Sequence, residues 1–317
     1  MTKSTINQWV LAFLMLAATS AAHAQFVGAR SLFMMSSLLD NPAAAGQSPC
    51  VDMRMGARAQ WVGFEGAPNT QFASLSSQLG SSTTFSHGLG GHLMLDQMGP
   101  WRTLKFGVAY ASRIRLSVGG TLSGGIGLGL VQHNMSASVS QALAGDPAVL
   151  FEPTGMSQVI FPTLDLGFMY NTKSTMVGLG MHNVTSPTLN NFAPGTSTGR
   201  AVVLTGAHEL KLDRRFAFMP AAQIRLASGL PSSVDVRGMF RMDNKIALGA
   251  GYRSQSAMVG LFQIQLFETM SVGYAYDFGV SSIASVAPST HEIVISLSAC
   301  DKDDPFFGNG MTCPAFY

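Results

Sequence analysis

The sequence predicts an all-β protein, a transmembrane antiparallel up-and-down β-barrel of about fourteen strands. Apolar residues alternate with polar or small ones along many short runs, as they do where successive side chains face lipid and lumen. Of 317 residues, 47% are hydrophobic and only 11% are charged, whereas a soluble protein devotes about a quarter of its residues to charge. Short and long connectors also alternate along the chain, as expected for the two sides of such a barrel.

Residues 1–24 have the features of a signal peptide. Lys3 supplies the positive start, Trp9–Ala18 the apolar run, and Ala22-His23-Ala24 the small-residue cleavage site before Gln25. The apolar run has about 10 residues, against the roughly 20 that a membrane-spanning helix needs. We therefore expect an exported protein whose mature chain begins at Gln25.

Three runs alternate most clearly: Leu104–Ala111, Leu116–Leu130 and Val234–Arg241. In the second of these, the apolar residues are expected to begin at Leu116 and Val118 and to alternate with Ser, Thr and Gly. A helix buries every third or fourth residue, so it does not produce this period of two. Each run is therefore predicted to be a strand with one lipid-facing side.

Eleven weaker runs complete the predicted barrel: Val51–Val62, Phe72–Leu79, Leu89–Gln97, Leu164–Tyr170, Thr175–Asn183, Val202–Leu212, Phe216–Ala227, Lys245–Tyr252, Met258–Leu266, Met270–Tyr276 and Glu292–Ala299. A soluble sandwich or lectin-like fold also has short alternating strands. It would need a second sheet to cover faces such as Leu104–Tyr110, and it leaves the alternation of connector lengths unexplained. The barrel is the preferred interpretation.

The connectors predict the orientation of the barrel, because outer-membrane barrels have short periplasmic turns and longer outer loops. The predicted periplasmic turns are Ser112–Arg115, Asn171–Ser174, Asp213–Arg214, Asp243–Asn244 and the region of Glu268. The predicted outer loops are Gln132–Gln158, Val184–Gly199 and Asp277–His291. The barrel then covers residues 51–300. Residues 25–50 form a periplasmic amino-terminal segment or plug, and 301–317 form a periplasmic tail.

Charged residues recur on the predicted inward faces of the strands. The basic ones are Arg54, Arg58, Lys105, Arg113, Arg225, Arg237, Arg241 and Arg253, and the acidic ones are Asp52, Asp96, Asp165 and Asp235. One interpretation is a charge network that fills and rigidifies the lumen. The other is a selective pore or a cradle for a passing chain. The network is preferred.

The cysteines are Cys50, Cys300 and Cys313, an odd number without paired CxxC spacing. A zinc site is disfavoured by this spacing, and no metal or cofactor is expected. Export makes a disulfide between Cys300 and Cys313 chemically feasible, with Cys50 left over. The formal net charge of +2 gives no support to nucleic-acid binding.

Enzyme motifs are not found in the sequence. The histidines lack metal-ligand spacing on a helix, and there is no nucleophile elbow or phosphate-binding glycine loop. His291 and Glu292 are neighbours on a predicted strand, so their side chains point to opposite faces and do not act jointly. A non-catalytic protein is therefore expected, with no catalytic residues.

Several short motifs occur in a characteristic order: Asn41-Pro42 with Gly46, Arg58–Pro68, Gly90-Gly91 before Asp96 and Gly99-Pro100, Gly178–Val184, Gly273–Phe278, and Ser289–Ile293. Together they resemble the PorP/SprF family of the type IX secretion and gliding machinery, over most of the mature chain. The chain departs from the family where Ala44 replaces a usual tyrosine and where the tail after Ala299 is longer. The resemblance therefore implies neither an aromatic contact at Ala44 nor a function for the tail.

The resemblance implies a non-catalytic protein of the outer membrane, in contact with its lipid. The family is implicated in exporting or anchoring secreted cargo with C-terminal sorting domains, and in linking to periplasmic ring or peptidoglycan-associated proteins. Candidate partner-binding residues are Asn41, Pro42, Gly46, Phe64, Glu65, Gly66 and Pro68. The Gln132–Gln158 loop is a candidate for cargo contact. A passive, porin-like diffusion channel is the alternative function.

Overall fold

The computed structural model describes residues 29–299, apart from 83, 118, 136–157, 187–198, 229, 255 and 281–288. Its strands form one closed antiparallel sheet, in which each strand pairs with its neighbours in sequence and the last strand pairs with the first. Ala201–His208 and Leu210–Lys211 pair with the same neighbouring strand, so they are two parts of one strand interrupted at Glu209. The predicted barrel of fourteen strands is confirmed.

The strands are β1 Val51–Ala59, β2 Asn69–Ser81, β3 Phe85–Met98, β4 Trp101–Arg115, β5 Thr121–Met135, β6 Gln158–Asn171, β7 Thr175–His182, β8 Ala201–His208 with Leu210–Lys211, β9 Phe216–Ala227, β10 Leu230–Met242, β11 Ile246–Arg253, β12 Ala257–Phe267, β13 Met270–Gly279 and β14 Ser289–Ala299. Two short 3₁₀ turns, Phe33–Ser36 and Pro42–Ala44, flank a single α-helical turn, Ser37–Asp40. No helix in the described ranges has the length and hydropathy to span a membrane.

The two faces of the sheet differ as the alternation predicts. Phe106, Leu128 and Phe240 point outward and are 51%, 59% and 58% exposed, as expected for side chains that meet lipid rather than water. On the other face of the same strands, Ala109 of β4 and Met239 of β10 point into the barrel and are buried. The apolar side chains that the alternation predicts to meet lipid therefore lie on the outer surface of the barrel.

One strand was expected to begin at Leu116, but in the structure it begins at Thr121. Leu116 lies in the turn between β4 and β5, where its N–H donates to the carbonyl of Gly120 over 2.8 Å. The preceding strand continues to Arg115, so the prediction of a turn at Ser112–Arg115 is wrong by a few residues. Strand propensity along this stretch is continuous, and the break is set by Gly119, whose φ of 84° suits the turn. Val118 lies outside the described residues.

The lumen is filled by the chain that precedes β1. We call residues 29–50 the amino-terminal segment. Its Leu32, Phe33 and Leu38 belong to three buried apolar clusters, each shared with inward side chains of the barrel wall. The hydrophobic core of this protein is therefore the interface between the segment and the inside of the barrel.

Candidate functional site: the amino-terminal segment in the lumen

The Asn41-Pro42 pair fixes the bend in the middle of the segment. The Asn41 side chain accepts a hydrogen bond from the Ala43 N–H over 2.9 Å, and Pro42 occupies the first position of the 3₁₀ turn. The Asn41 amide also donates to the carbonyl of Phe168 in the wall, over 2.9 Å. One side chain therefore caps the turn and attaches it to the barrel.

Glycines in the wall allow the backbone of the segment to approach the strands closely. A Cβ atom on Gly88 would overlap the carbonyl of Ala45, and one on Gly125 would overlap the backbone nitrogen of Ala43. Gly167 and Gly180 approach the segment in the same way. The glycine abundance on inward faces is thus a consequence of close backbone approach.

Ser31 is held by a charged cluster that we call the outer clamp: Arg58, Arg253, Asp277 and Glu292. The Ser31 hydroxyl donates to Asp277 over 2.7 Å, and the N–H groups of Ser31 and Leu32 donate to Glu292 over 2.7 and 3.0 Å.

Within the outer clamp the charges pair with one another. Arg58 forms ion pairs with Asp277 at 2.7 Å and with Glu292 at 2.8 Å, and Arg253 pairs with Asp277 at 2.9 Å. These groups are buried, and buried charges require such pairing and hydrogen bonding. The wall thus supplies the carboxylate acceptor for two backbone N–H groups of the segment.

Asp40 is the charged centre of the segment. It pairs with Arg30 of the same segment and with Arg225 of the wall, the latter at 3.2 Å, and it accepts from Gln223 over 3.2 Å. Burial by itself raises the pKa of Asp40, but the charges of Arg30, Arg225 and His182 and the hydrogen bond from Arg30 outweigh it and lower the pKa from 3.8 to about 2. Asp40 is therefore ionised at neutral pH.

Three arginines of the wall bind backbone carbonyls of the segment. Arg54 donates to the carbonyl of Met35 over 3.0 Å, Arg113 donates to that of Ala45, and Arg237 donates to that of Ser31. The Arg237 guanidinium also lies over the ring of Phe33, 3.2 Å from its centroid. The wall therefore recognises the segment largely through its backbone.

The remaining inward charges that the sequence singles out also line the lumen. Arg241 pairs with Glu209 at 2.9 Å, and Asp235 pairs with Arg253 at 2.7 Å. Lys105 and Asp165 line a cavity of about 160 Å³ between the wall and the segment. The other acids also have partners, since Asp96 accepts from Thr70 and Asp52 from Ser298.

The candidate partner-binding residues fall into two groups. Asn41, Pro42 and Gly46 are buried against the barrel wall, where they meet the chain's own strands rather than another protein. Phe64, Glu65 and Gly66 are exposed in the β1–β2 connection. Pro68 lies in the same connection but is buried, and its carbonyl accepts a hydrogen bond from the Gln60 N–H over 2.9 Å. The structure does not bring the two groups together.

Sequence reasoning missed the residues that hold the segment from both sides: Arg30, Ser31, Asp40, Gln223, Asp277 and Glu292. Glu292 is the strand neighbour of His291, and the sequence predicts only that the two point to opposite faces; the His291 side chain bonds Tyr274 on the outer face at 2.7 Å. Asp277 and Glu292 both lie in motifs that resemble the family's closing elements. The partner of each is far away in sequence, so no local pattern could have paired them.

The expectation that Cys50 is left over is wrong, because Cys50 is disulfide-bonded. Cys300 and Cys313 themselves lie outside the described residues. Within the described ranges, no group of three or more His, Cys, Asp or Glu side chains is placed to hold a metal ion.

These features define a class, an outer-membrane β-barrel whose lumen is occupied by its own amino-terminal segment. The chain belongs to the family described as type IX secretion system membrane protein PorP/SprF, whose sequence profile matches residues 22–297. It is therefore an outer-membrane component of type IX secretion. No curated protein sequence matches the chain.

Solved structures of other barrels resemble it in fold. The Acinetobacter baumannii outer membrane protein Omp33 is 9% identical, with a TM-score of 0.47 over 80% of this chain and 99% of that one. The Pseudomonas putida toluene transporter TodX is 12% identical, with a TM-score of 0.46 over 88% of this chain and 95% of that one. Similarities this low tell nothing about what this chain binds.

Proposed function

We propose that this protein is a non-catalytic component that exports or anchors cargo proteins with C-terminal sorting domains and connects the outer membrane to periplasmic secretion partners. The observation that carries the proposal is the filled lumen in a member of a secretion family. With its own chain packed in the lumen, this barrel is proposed to act by binding and anchoring rather than by conducting solutes. The exposed β1–β2 connection and the Gln132–Gln158 loop are the proposed cargo-facing surfaces.

Periplasmic contact is assigned to the tail, residues 301–317, and to the short turns. Asn41, Pro42 and Gly46 are buried, so they serve this role only if the segment leaves the barrel.

The experiment is a quantitative proteome of the cell surface and culture medium from a strain lacking the gene, compared with its parent and with the complemented strain. Selective loss of proteins with C-terminal sorting domains, restored on complementation, is the expected result. An unchanged surface proteome in every strain would contradict a secretion or anchoring role.

A truncated variant ending at Asp301 tests the periplasmic part separately. It retains Cys300 and removes Cys313 with most of the tail, so it keeps the Cys50 disulfide if Cys300 is the partner. We expect this variant to insert into the outer membrane but to lose co-purification with periplasmic secretion proteins. Unchanged co-purification would show that periplasmic proteins bind the turns rather than the tail.

The second candidate is a passive diffusion channel. The observation in its favour is the charged cavity of about 160 Å³ beside the segment, lined by Lys105, Asp165 and His182. Elsewhere in the lumen the segment packs against the wall through three apolar clusters, which is why anchoring is preferred.

A further inference from the structure

The cavity of about 160 Å³ between the wall and the amino-terminal segment is lined by charged side chains from both. Two of these side chains belong to the segment and four to strands of the wall. They are Arg30, Asp40, Lys105, Asp165, His182 and Arg225. The way in which these charges pair determines what kind of molecule the cavity can hold.

The His182 ring is positively charged in this arrangement. Its Nδ1 lies 3.1 Å from a carboxylate oxygen of Asp165, and its Nε2 lies 2.9 Å from the backbone carbonyl oxygen of Asp40. The other carboxylate oxygen of Asp165 accepts from the Asn183 N–H over 2.9 Å. A carbonyl and an ionised carboxylate can only accept hydrogen bonds, so both contacts of the ring form only when each ring nitrogen carries a hydrogen.

The described lining therefore has more cations than acids. The Asp40 carboxylate is shared by two guanidinium groups, and Asp165 is paired with the His182 ring. Lys105 is the fourth cation, which gives four positive charges against two negative ones. Both acids are thus already paired with cations other than Lys105.

Lys105 and His92 line this cavity without a hydrogen-bond partner. In the part of the chain that the structure describes, the half-buried Lys105 ammonium forms neither a hydrogen bond nor an ion pair, and the buried Nδ1 of His92 has no partner. Asp96 is on the same inward face, but it accepts from Thr70 over 2.6 Å. In the sheet, Met94 is opposite Lys105, so His92 is its diagonal neighbour on the inward face.

We propose that this cavity binds a small oxyanion, a carboxylate or a phosphate, which contacts Lys105 and His92. The Lys105 ammonium neutralises the anion, and the His92 ring, with its hydrogen on Nδ1, donates a second hydrogen bond to it. Such a ligand supplies the partners that a charge and a polar atom inside a protein require. Anion binding goes beyond the secretion role and does not depend on it.

The test is the binding of probe anions to the purified full-length protein, in a non-ionic detergent and a buffer without oxyanions. Inorganic phosphate and acetate are titrated separately by calorimetry at constant ionic strength, with chloride as the reference. Native mass spectrometry of the protein as isolated detects an anion that is retained from the cell. We expect one phosphate or one acetate per protein, and the anion that binds more tightly identifies the chemical class. Binding of neither anion beyond chloride, with no retained anion, would overturn the proposal and leave a cavity that holds water.

Substitutions locate the bound anion. Lys105→Met should weaken binding by about tenfold or more, as expected for the loss of a hydrogen bond to a charged group, whereas Lys105→Arg should retain most of it. Lys173→Met, in the exposed β6–β7 turn, is the control and should bind like the parent. His92→Phe keeps a ring packed against Gly107 but removes the donor, so it tests the site even if Lys105→Met does not insert. Parent-like binding by inserted Lys105→Met or His92→Phe would contradict the proposed site.

Discussion

At the scale of single residues, glycine decides where the segment fits. Gly125 faces the lumen and touches the backbone of Ala43, whereas the neighbouring Gly124 has nothing within 4 Å of where its Cβ would lie. The two residues are adjacent in one strand and differ only in the face they occupy. They therefore form a matched pair for testing whether the segment is packed against the wall.

We expect Gly125→Ala to destabilise the barrel by about 1–3 kcal/mol, the usual range for overpacking a filled core, because the new methyl group displaces the segment. Gly124→Ala should leave stability nearly unchanged. Thermal unfolding in detergent, followed by circular dichroism, measures both. Equal effects of the two substitutions would show that the segment does not press on the wall at Gly125.

Asp40 makes the stability of the segment dependent on pH. Its pKa in the folded protein, about 2, lies below the ordinary value of 3.8. The ionised carboxylate therefore contributes stability that is fully present above pH 3.8 and is lost as the pH falls toward 2.

We expect Asp40→Asn to be less stable than the parent at neutral pH, by about 3–5 kcal/mol, since Arg30 and Arg225 lose a buried partner. The difference should narrow as the pH is lowered from 3.8 toward 2. Unfolding temperatures measured across that range test the expectation. Asp243→Asn, which breaks the exposed pair with Arg215, is the control and should have little effect. A stability difference between Asp40→Asn and the parent that stays constant with pH would contradict the role of the ionised Asp40 carboxylate.

At the scale of elements, strand register determines which distant residues meet. β1 and β14 pair antiparallel with Val51 opposite Ala299, and the register continues to Arg58 opposite Glu292. This register closes the barrel and places two members of the outer clamp side by side. The residues that flank the pair of strands in sequence are Cys50 before Val51 and Cys300 after Ala299.

We therefore predict that the partner of Cys50 in its disulfide is Cys300. Peptide mapping under non-reducing conditions should recover that pair, and Cys300→Ser should release a free thiol at Cys50 whereas Cys313→Ser should not. Recovery of a peptide that links Cys50 to Cys313 would contradict the prediction.

At the scale of the whole molecule, the filled lumen governs permeability. Leu32, Phe33 and Leu38 anchor the segment in three separate apolar clusters, and ion pairs and hydrogen bonds join it to the wall along its length. Displacing it would expose buried apolar surface and break all of these contacts together.

We expect the purified protein to show no steady open-channel conductance in planar bilayers in which a general porin, inserted in parallel, conducts. The physical reason is that the segment occupies the ion path. A stable open state of the intact protein would favour the diffusion channel over an anchoring role.

The sequence by itself determined the fold class, the number of strands, and the side of each strand that meets lipid. These are local properties, because a period of two in hydrophobicity is written into consecutive residues such as Phe106–Tyr110. It also placed basic residues on the inward faces and, through short motifs, suggested the family.

Only the tertiary structure decided how the lumen is filled. Asp40 meets Arg225 and Ser31 meets Asp277 across most of the chain. Such pairings depend on strand order and register, which bring together residues that no sequence pattern links.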